Sequence, residues 1–349
     1  PSPGQPAYPH AHPIAPEPVE VSEAMDPGPH LSQRFVEATR RALVTRGYQP
    51  RTVRTYVEWI ARFMAHHRHP HPRELDLSHI RAYLRYLSGP RRLAPKTRNQ
   101  AASALTFAYR EILDIRVEGL IKHARTKNRV PVVLSHPEVQ RLLDEMNGRK
   151  KLAASLMYGT GARVSEALAI RLKDLDFELG RITIREGKGG RARVVMLPSR
   201  LQPDLIELIR KRRALHQTDL DRGHGWAPLP AALDRKTPKA GWEDGWQFLF
   251  ASRVVQQDPA TGRRGRHPLH PTAMQRAVQK ALRRTGILKP ATCHTLRHSF
   301  ATQMLRDGYD IRTVQQLLGH KDVRTTMIYT HVVDQVGFRV RSPLDRDPQ

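Results

Sequence analysis

CHTLRHSFATQML, residues 293–305, reads as a helix whose two faces do different jobs. Leu296, Phe300 and Leu305 are available for a core, while His294 and Arg297 stand three apart and share one face. A histidine beside a guanidinium suits a phosphate. Downstream, DIRTVQQLLGHKDV (310–323) ends a helix at Gly319, the residue expected at such a stop, and exposes His320 just beyond it. Tyr329 follows within LGHKDVRTTMIYTHV (318–332). Alone it decides nothing, because a phenol with a pKa near ~10 is a poor nucleophile unless neighbours stabilise its anion or take its proton.

Upstream, MYGTGARVSEALAIRLKDL (157–175) places Arg163 at the opening of a helix, three residues before Glu166. Such a pair is by itself worth a few tenths of a kcal/mol on a helix surface. RITIREGKGGRARVVML (181–197) alternates as two strands joined by Gly187-Lys188-Gly189-Gly190, a hairpin with a lysine at its tip. Lys188 there is either a solubilising turn residue or an ammonium carried to a phosphate. Each position, taken singly, has an ordinary structural explanation.

Composition narrows the field. The 349 residues carry 59 Lys+Arg against 33 Asp+Glu, a net charge of +26. Residues 1–30 hold four acids and no Lys or Arg, so the remainder carries +30, from 59 minus 29. An excess spread over both halves is the electrostatic footprint of a nucleic-acid partner, with a solvated basic surface or an anionic lipid as the competing explanations. No apolar run approaches the ~20 residues that span a bilayer, and no basic region followed by an apolar stretch marks export. Cys293 is the only cysteine, which excludes an intrachain disulfide and a cysteine-based zinc site and fits a reducing cytosol.

The chain reads as a proline-rich, disordered tail over 1–28; a helical DNA-binding domain over 29–118; a basic linker, GLIKHARTKNRVPVVL, over 119–134; and a second domain over 135–349. Four amphipathic helices are expected in the first domain, the clearest with Val53, Tyr56, Val57, Ile60, Phe63 and Met64 at helical spacing. Ser135 and Glu138 form a capping box that opens the second domain. A long tryptophan-containing stretch then precedes helices that resume near 272. The histidines of HHRHPHP (66–72) are read as a polar, proline-broken loop rather than a metal site.

The joint order Arg163, Lys188, His294-x-x-Arg297, His320 and Tyr329 resembles the pattern of the tyrosine recombinases, from about residue 31 to about 332. The resemblance implies a mainly α fold with a small β-sheet or hairpin, in which an α+β catalytic domain and a helical SAM-like domain form a two-domain, C-shaped clamp around DNA. It makes Tyr329 the nucleophile that forms a 3′-phosphotyrosine. Arg163 and Arg297 would hold the equatorial oxygens of the phosphorane bidentately, and Lys188 would protonate the departing 5′-oxygen. His294 is expected to assist proton transfer from Tyr329, His320 to donate to the phosphate and Glu166 to orient Arg163. No metal, ATP or other cofactor is implied.

A finer resemblance points to the integron integrases. It rests on REGKGGRAR, KPATCHTLRHSFAT, GYDIRTVQQLLGH, TTMIYTHV, RSPLD near residue 341, and the extra length between Lys188 and His294. The insertion is placed at about 214–246, and the stretch 232–270, with Trp242, Trp246, His267 and His270, also looks like it. That subfamily recombines gene cassettes between a duplex attI site and an attC site folded from a single strand, as a tetramer on two DNA sites, in the bacterial cytoplasm at the nucleoid. Trp242, Trp246, His267 and His270 are candidate planes for stacking extrahelical bases, at about 1–3 kcal/mol each. Trp246 with Phe248 and Phe250 would otherwise only anchor the insertion. The remaining alternatives are a Xer- or phage-type recombinase restricted to duplex sites, a type IB topoisomerase, and a DNA-binding protein without catalysis.

Overall fold

The computed structural model describes residues 29–335, apart from 69–70, 118, 120, 122, 126–129, 186–191 and 260. The expected proline-rich tail, the Lys188 turn and the RSPLD segment lie outside the described residues. The chain divides into two units between residues 127 and 128. No described helix is long and apolar enough to cross a membrane.

The first unit holds α1 (Pro29–Thr45), α2 (Pro50–His66), α3 (Leu77–Ser88) and α4 (Pro95–Ile112). Proline at the first position of α2 costs no hydrogen bond, and the stripe Val53, Val57, Ile60, Phe63 and Met64 is buried. Asp76 caps α3, its Oδ1 accepting the N–H groups of Ser78 at 2.8 Å and His79 at 3.2 Å. α4 buries Ala101, Ala102, Ala104 and Ala108, small residues that let neighbouring helices approach. Tyr109 Oη donates to Leu75 O at 2.5 Å. The loop expected over 66–72 is corrected in part: His66 is the last residue of α2, and His66 and His67 pack against Tyr83. Their rings extend an aromatic cluster, which the proline-rich text concealed.

The second unit begins with α5 (His136–Asp144), where Ser135 Oγ accepts from Glu138 N and Glu138 Oε2 accepts from Ser135 N at 2.7 Å. It continues through α6 (Gly148–Thr160) and α7 (Val164–Leu168). A three-stranded antiparallel sheet follows: β1 (Leu175–Asp176), β2 (Arg181–Ile184) and β3 (Arg193–Met196), with Ile182 opposite Val195 and Ile184 opposite Arg193. Ile182, Ile184 and Val195 point into a core shared with Leu142, Leu156, Met157, Phe250, Met274 and Leu296.

Next come α8 (Gln202–Asp221), α9 (Ala231–Lys236), a two-stranded ribbon of β4 (Gln256–Gln257) and β5 (Arg264–Gly265), then α10 (Pro271–Thr285), α11 (Cys293–Arg306), α12 (Ile311–Leu318) and α13 (Arg324–Gln335). The twenty-residue α8 corrects the expectation that helices resume only near 272. Its buried face includes Arg212, His216 and Asp219, so the apolar period is interrupted where the helix packs. Asp219 takes Arg266 bidentately, at 2.6 and 2.8 Å. Leu172 N donates to Gln247 O at 3.0 Å and Leu249 N to Ile170 O at 2.9 Å, which joins residues 247–249 to the chain after α7.

Candidate active site

Gly161, with φ +67, turns the chain out of α6 and toward Arg163. A Cβ there would collide with Phe300 and Leu318. Glycine is needed for the left-handed turn and for this close approach. Arg163 then caps α7, its N–H donating to Glu166 Oε2 at 2.8 Å and its Nη1 to Oε1 at 2.5 Å. Glu166 therefore holds both the backbone N–H and the guanidinium of Arg163.

The same carboxylate receives a second arginine. Arg193 reaches Oε2 through Nη2 at 2.6 Å and Oε1 through Nη1 at 3.3 Å, while its Nε donates to Leu317 O at 2.8 Å. Burial alone would raise the Glu166 pKa, but the hydrogen bonds and charges of Arg193 and Arg163 prevail and hold it at about 2. Sequence reading passed over Arg193. Its signal is an arginine on the inward face of β3, two residues before buried Val195.

Arg297 is 1% exposed. Its Nη1 donates to Gly161 O at 2.7 Å, and its Nη2 donates to Leu318 O at 2.6 Å and to His320 Nε2 at 2.9 Å. Burial, with the nearby Arg163 charge, lowers its pKa to about 10, so it stays charged at neutral pH. A guanidinium only donates, so His320 Nε2 accepts and the ring carries its proton on Nδ1, 2.9 Å from Thr326 Oγ1. Burial, then Arg297 and Arg163, lowers the His320 pKa to about 4. His320 was expected to donate to a phosphate, but here its Nε2 lone pair is engaged by Arg297. Gly319 (φ +65) places His320 at the turn after α12.

Tyr329 on α13 joins this group and is 1% exposed. Its ring lies nearly parallel to His320, with centroids 6.4 Å apart and planes at 12°. Burial raises its pKa, opposed by the charges of Arg297 and Arg163. Both arginines thus favour the phenolate. The hydroxyl lies 2.9 Å from His298 Nδ1. His294, expected to serve the phenol, is exposed on α11 and packs against His298 with centroids 4.4 Å apart. His298, also passed over in the sequence, occupies the position i+4 from His294 on the same helix face. Lys188 lies outside the described residues.

The four candidate stacking residues of the insertion differ in their surroundings. Trp246 is half-buried, with Lys173 Nζ 3.0 Å from its ring centroid and Arg171 Cζ 5.0 Å away. These cation–π contacts occupy part of the ring and tie it to the segment after α7. Trp242 is half-buried and its carbonyl accepts from His216 Nε2 at 2.9 Å. His267 is half-buried, its carbonyl accepting from Ser252 N at 2.7 Å. His270 is engaged in the fold itself, since its Nδ1 accepts from Thr272 N at 3.2 Å and caps α10. Among the described residues no group of three or more His, Cys, Asp or Glu is arranged to hold a metal ion.

Comparison with known proteins gives this geometry a family context. Residues 132–335 match the phage integrase family, and residues 35–119 match the phage integrase N-terminal SAM-like domain. An integrase/recombinase of Escherichia coli is 45% identical over 322 residues, 92% of this chain and 96% of that protein. Among solved structures, the XerH site-specific recombinase bound to palindromic difH substrate aligns with a TM-score of 0.60 at 22% identity, covering 87% of this chain and 82% of that one. A lambda integrase dimer bound to a COC′ core site aligns at 0.59 and 18% identity, covering 89% and 79%. The two structures share the fold.

Proposed function

This chain belongs to the phage integrase family and is a site-specific tyrosine recombinase, and from that premise we propose that it is an integron integrase, moving gene cassettes between a duplex attI site and a folded, single-stranded attC site. The observation that carries the chemical part is the convergence of Arg163, Arg297, His320 and Tyr329, with both arginine charges acting on the Tyr329 phenol.

Tyr329 attacks the scissile phosphate and becomes a 3′-phosphotyrosine. The two guanidiniums take up the charge that develops on the equatorial oxygens, where fixed donors are most effective. Glu166, itself clamped by Arg193, fixes Arg163. Lys188 protonates the 5′-oxygen as it leaves. The covalent link keeps the energy of the broken bond, so rejoining to a new 5′-hydroxyl consumes no nucleotide. Tyr329 is 1% exposed and Arg297 is held by the carbonyls of Gly161 and Leu318, while Arg163 keeps a partly exposed side chain through which a phosphate can approach.

The insertion region supports the finer reading: Asp219 takes Arg266 bidentately across it, and the rings of Trp246 and His267 within it are half-buried. Extrahelical bases of a folded strand are its natural ligands, and a tetramer bridging two sites is the corresponding assembly. Strand exchange tests it directly. A duplex attI site should recombine with the folded bottom strand of attC and far less with the same attC as a perfect duplex. Efficient exchange of duplex sites alone would instead mark a Xer- or phage-type enzyme.

A further inference from the structure

The ring nitrogen that meets the nucleophile does not belong to the histidine of the His294-x-x-Arg297 motif. It is His298 Nδ1, 2.9 Å from Tyr329 Oη, on a ring tilted 53° to the phenol with centroids 5.4 Å apart. His294 packs on His298 at an interplanar angle of 78°. We propose, resting on the assignment of Tyr329 as nucleophile, that His298 orients the phenol and accepts its proton as the bond to phosphorus forms.

The surroundings suit that role. Burial lowers the His298 pKa to about 4, with His294 and Arg297 acting in the same direction, so the imidazole is uncharged at neutral pH. With its proton on Nε2, the ring offers Nδ1 a lone pair to the phenolic hydrogen. The groups facing His298 are His294 and Arg297 on its own helix and Tyr329 on α13. Burial makes the phenol a weaker acid than usual, which increases the need for a base, while Arg297 and Arg163 stabilise the anion once the proton has gone.

The step balances. The Oη–H proton passes to Nδ1, the Oη–P bond forms and the P–O5′ bond breaks, and the leaving oxygen takes its proton from Lys188. On rejoining, the imidazolium of His298 returns its proton to the phenolate as the new P–O5′ bond displaces it. A base for the nucleophile and an acid for the leaving group are then separate residues.

The test is single-turnover cleavage of an attC strand whose scissile 5′-oxygen is replaced by sulfur, which leaves without a proton and so isolates the nucleophile's own. His298→Asn keeps a hydrogen-bonding group near the Nδ1 position but cannot take a proton. His298→Gln is the second variant, and melting temperature and DNA affinity establish that each is folded. Wild type should cleave at a level rate between about pH 7 and about pH 9. His298→Asn should be slower by about 100-fold at neutral pH and recover about tenfold per pH unit, as hydroxide replaces the missing base. A wild-type rate in folded His298→Asn, or a defect of the same size at every pH, would overturn the proposal. Covalent product from Tyr329→Phe, run alongside, would instead overturn the nucleophile assignment beneath it.

Discussion

Arg193 and Glu166 form a two-pronged ion pair, at 2.6 and 3.3 Å, that links β3 to the carboxylate holding Arg163. Both side chains are less than one-tenth exposed. Because the Arg193 Nε also holds Leu317 O near the end of α12, one guanidinium fixes β3, Glu166 and the approach to His320 together.

Arg193→Ala should therefore destabilise the second unit by about 3–5 kcal/mol, since it leaves a buried carboxylate with one partner fewer. Urea denaturation measures that loss. Arg193→Lys should recover only part of it, because an ammonium cannot reproduce the fork. The Glu166 pKa is depressed, so its contribution is present at neutral pH and is lost as pH falls from about 4 toward about 2. In Arg193→Ala that acid-dependent loss should be smaller.

Gly161→Ala should cost at least about 1–3 kcal/mol from the left-handed backbone alone. The methyl group also meets Phe300 and Leu318, and the Gly161 carbonyl holds Arg297. Cleavage should fall more than melting temperature implies. An alanine variant with wild-type stability would mean that the turn relaxes freely.

Much of this was legible in the sequence because its causes are local. Gly319 stops α12 through its own backbone, Ser135 and Glu138 cap α5 within one turn, and the stripe of α2 follows from period alone. What escaped depends on tertiary contact. α8 buries Arg212, His216 and Asp219 where an apolar period would otherwise show. Arg193 looks like one more basic residue until the fold brings it to Glu166. His298 meets Tyr329 across 31 positions of sequence, and no spacing announces that contact.

Lys188→Ala should slow cleavage of ordinary DNA severely, and much less when the scissile 5′-oxygen is replaced by sulfur. The thiolate leaves unprotonated and bypasses a missing acid. Equal defects on both substrates, in single-turnover assays, would remove Lys188 from that role.

In the insertion, His267→Ala should weaken binding of a folded attC strand by about 1–3 kcal/mol while sparing a duplex attI site. Trp246→Ala should show the same preference together with a lower melting temperature, because its ring also carries Lys173 and Arg171. Deleting the bulged bases from attC should mimic each variant. Equal loss on both DNAs would leave Trp246 a packing residue alone.

The central claim is that Tyr329 becomes covalently joined to a DNA 3′-phosphate. A nicked attC strand that lets the short 5′-hydroxyl fragment diffuse away should trap the intermediate as a denaturant-resistant adduct. Protease digestion and mass spectrometry then locate the linked residue. The account predicts phosphotyrosine at Tyr329, with no adduct from Tyr329→Phe although that variant still binds DNA. An adduct on any other residue, or one that persists in Tyr329→Phe, would contradict it.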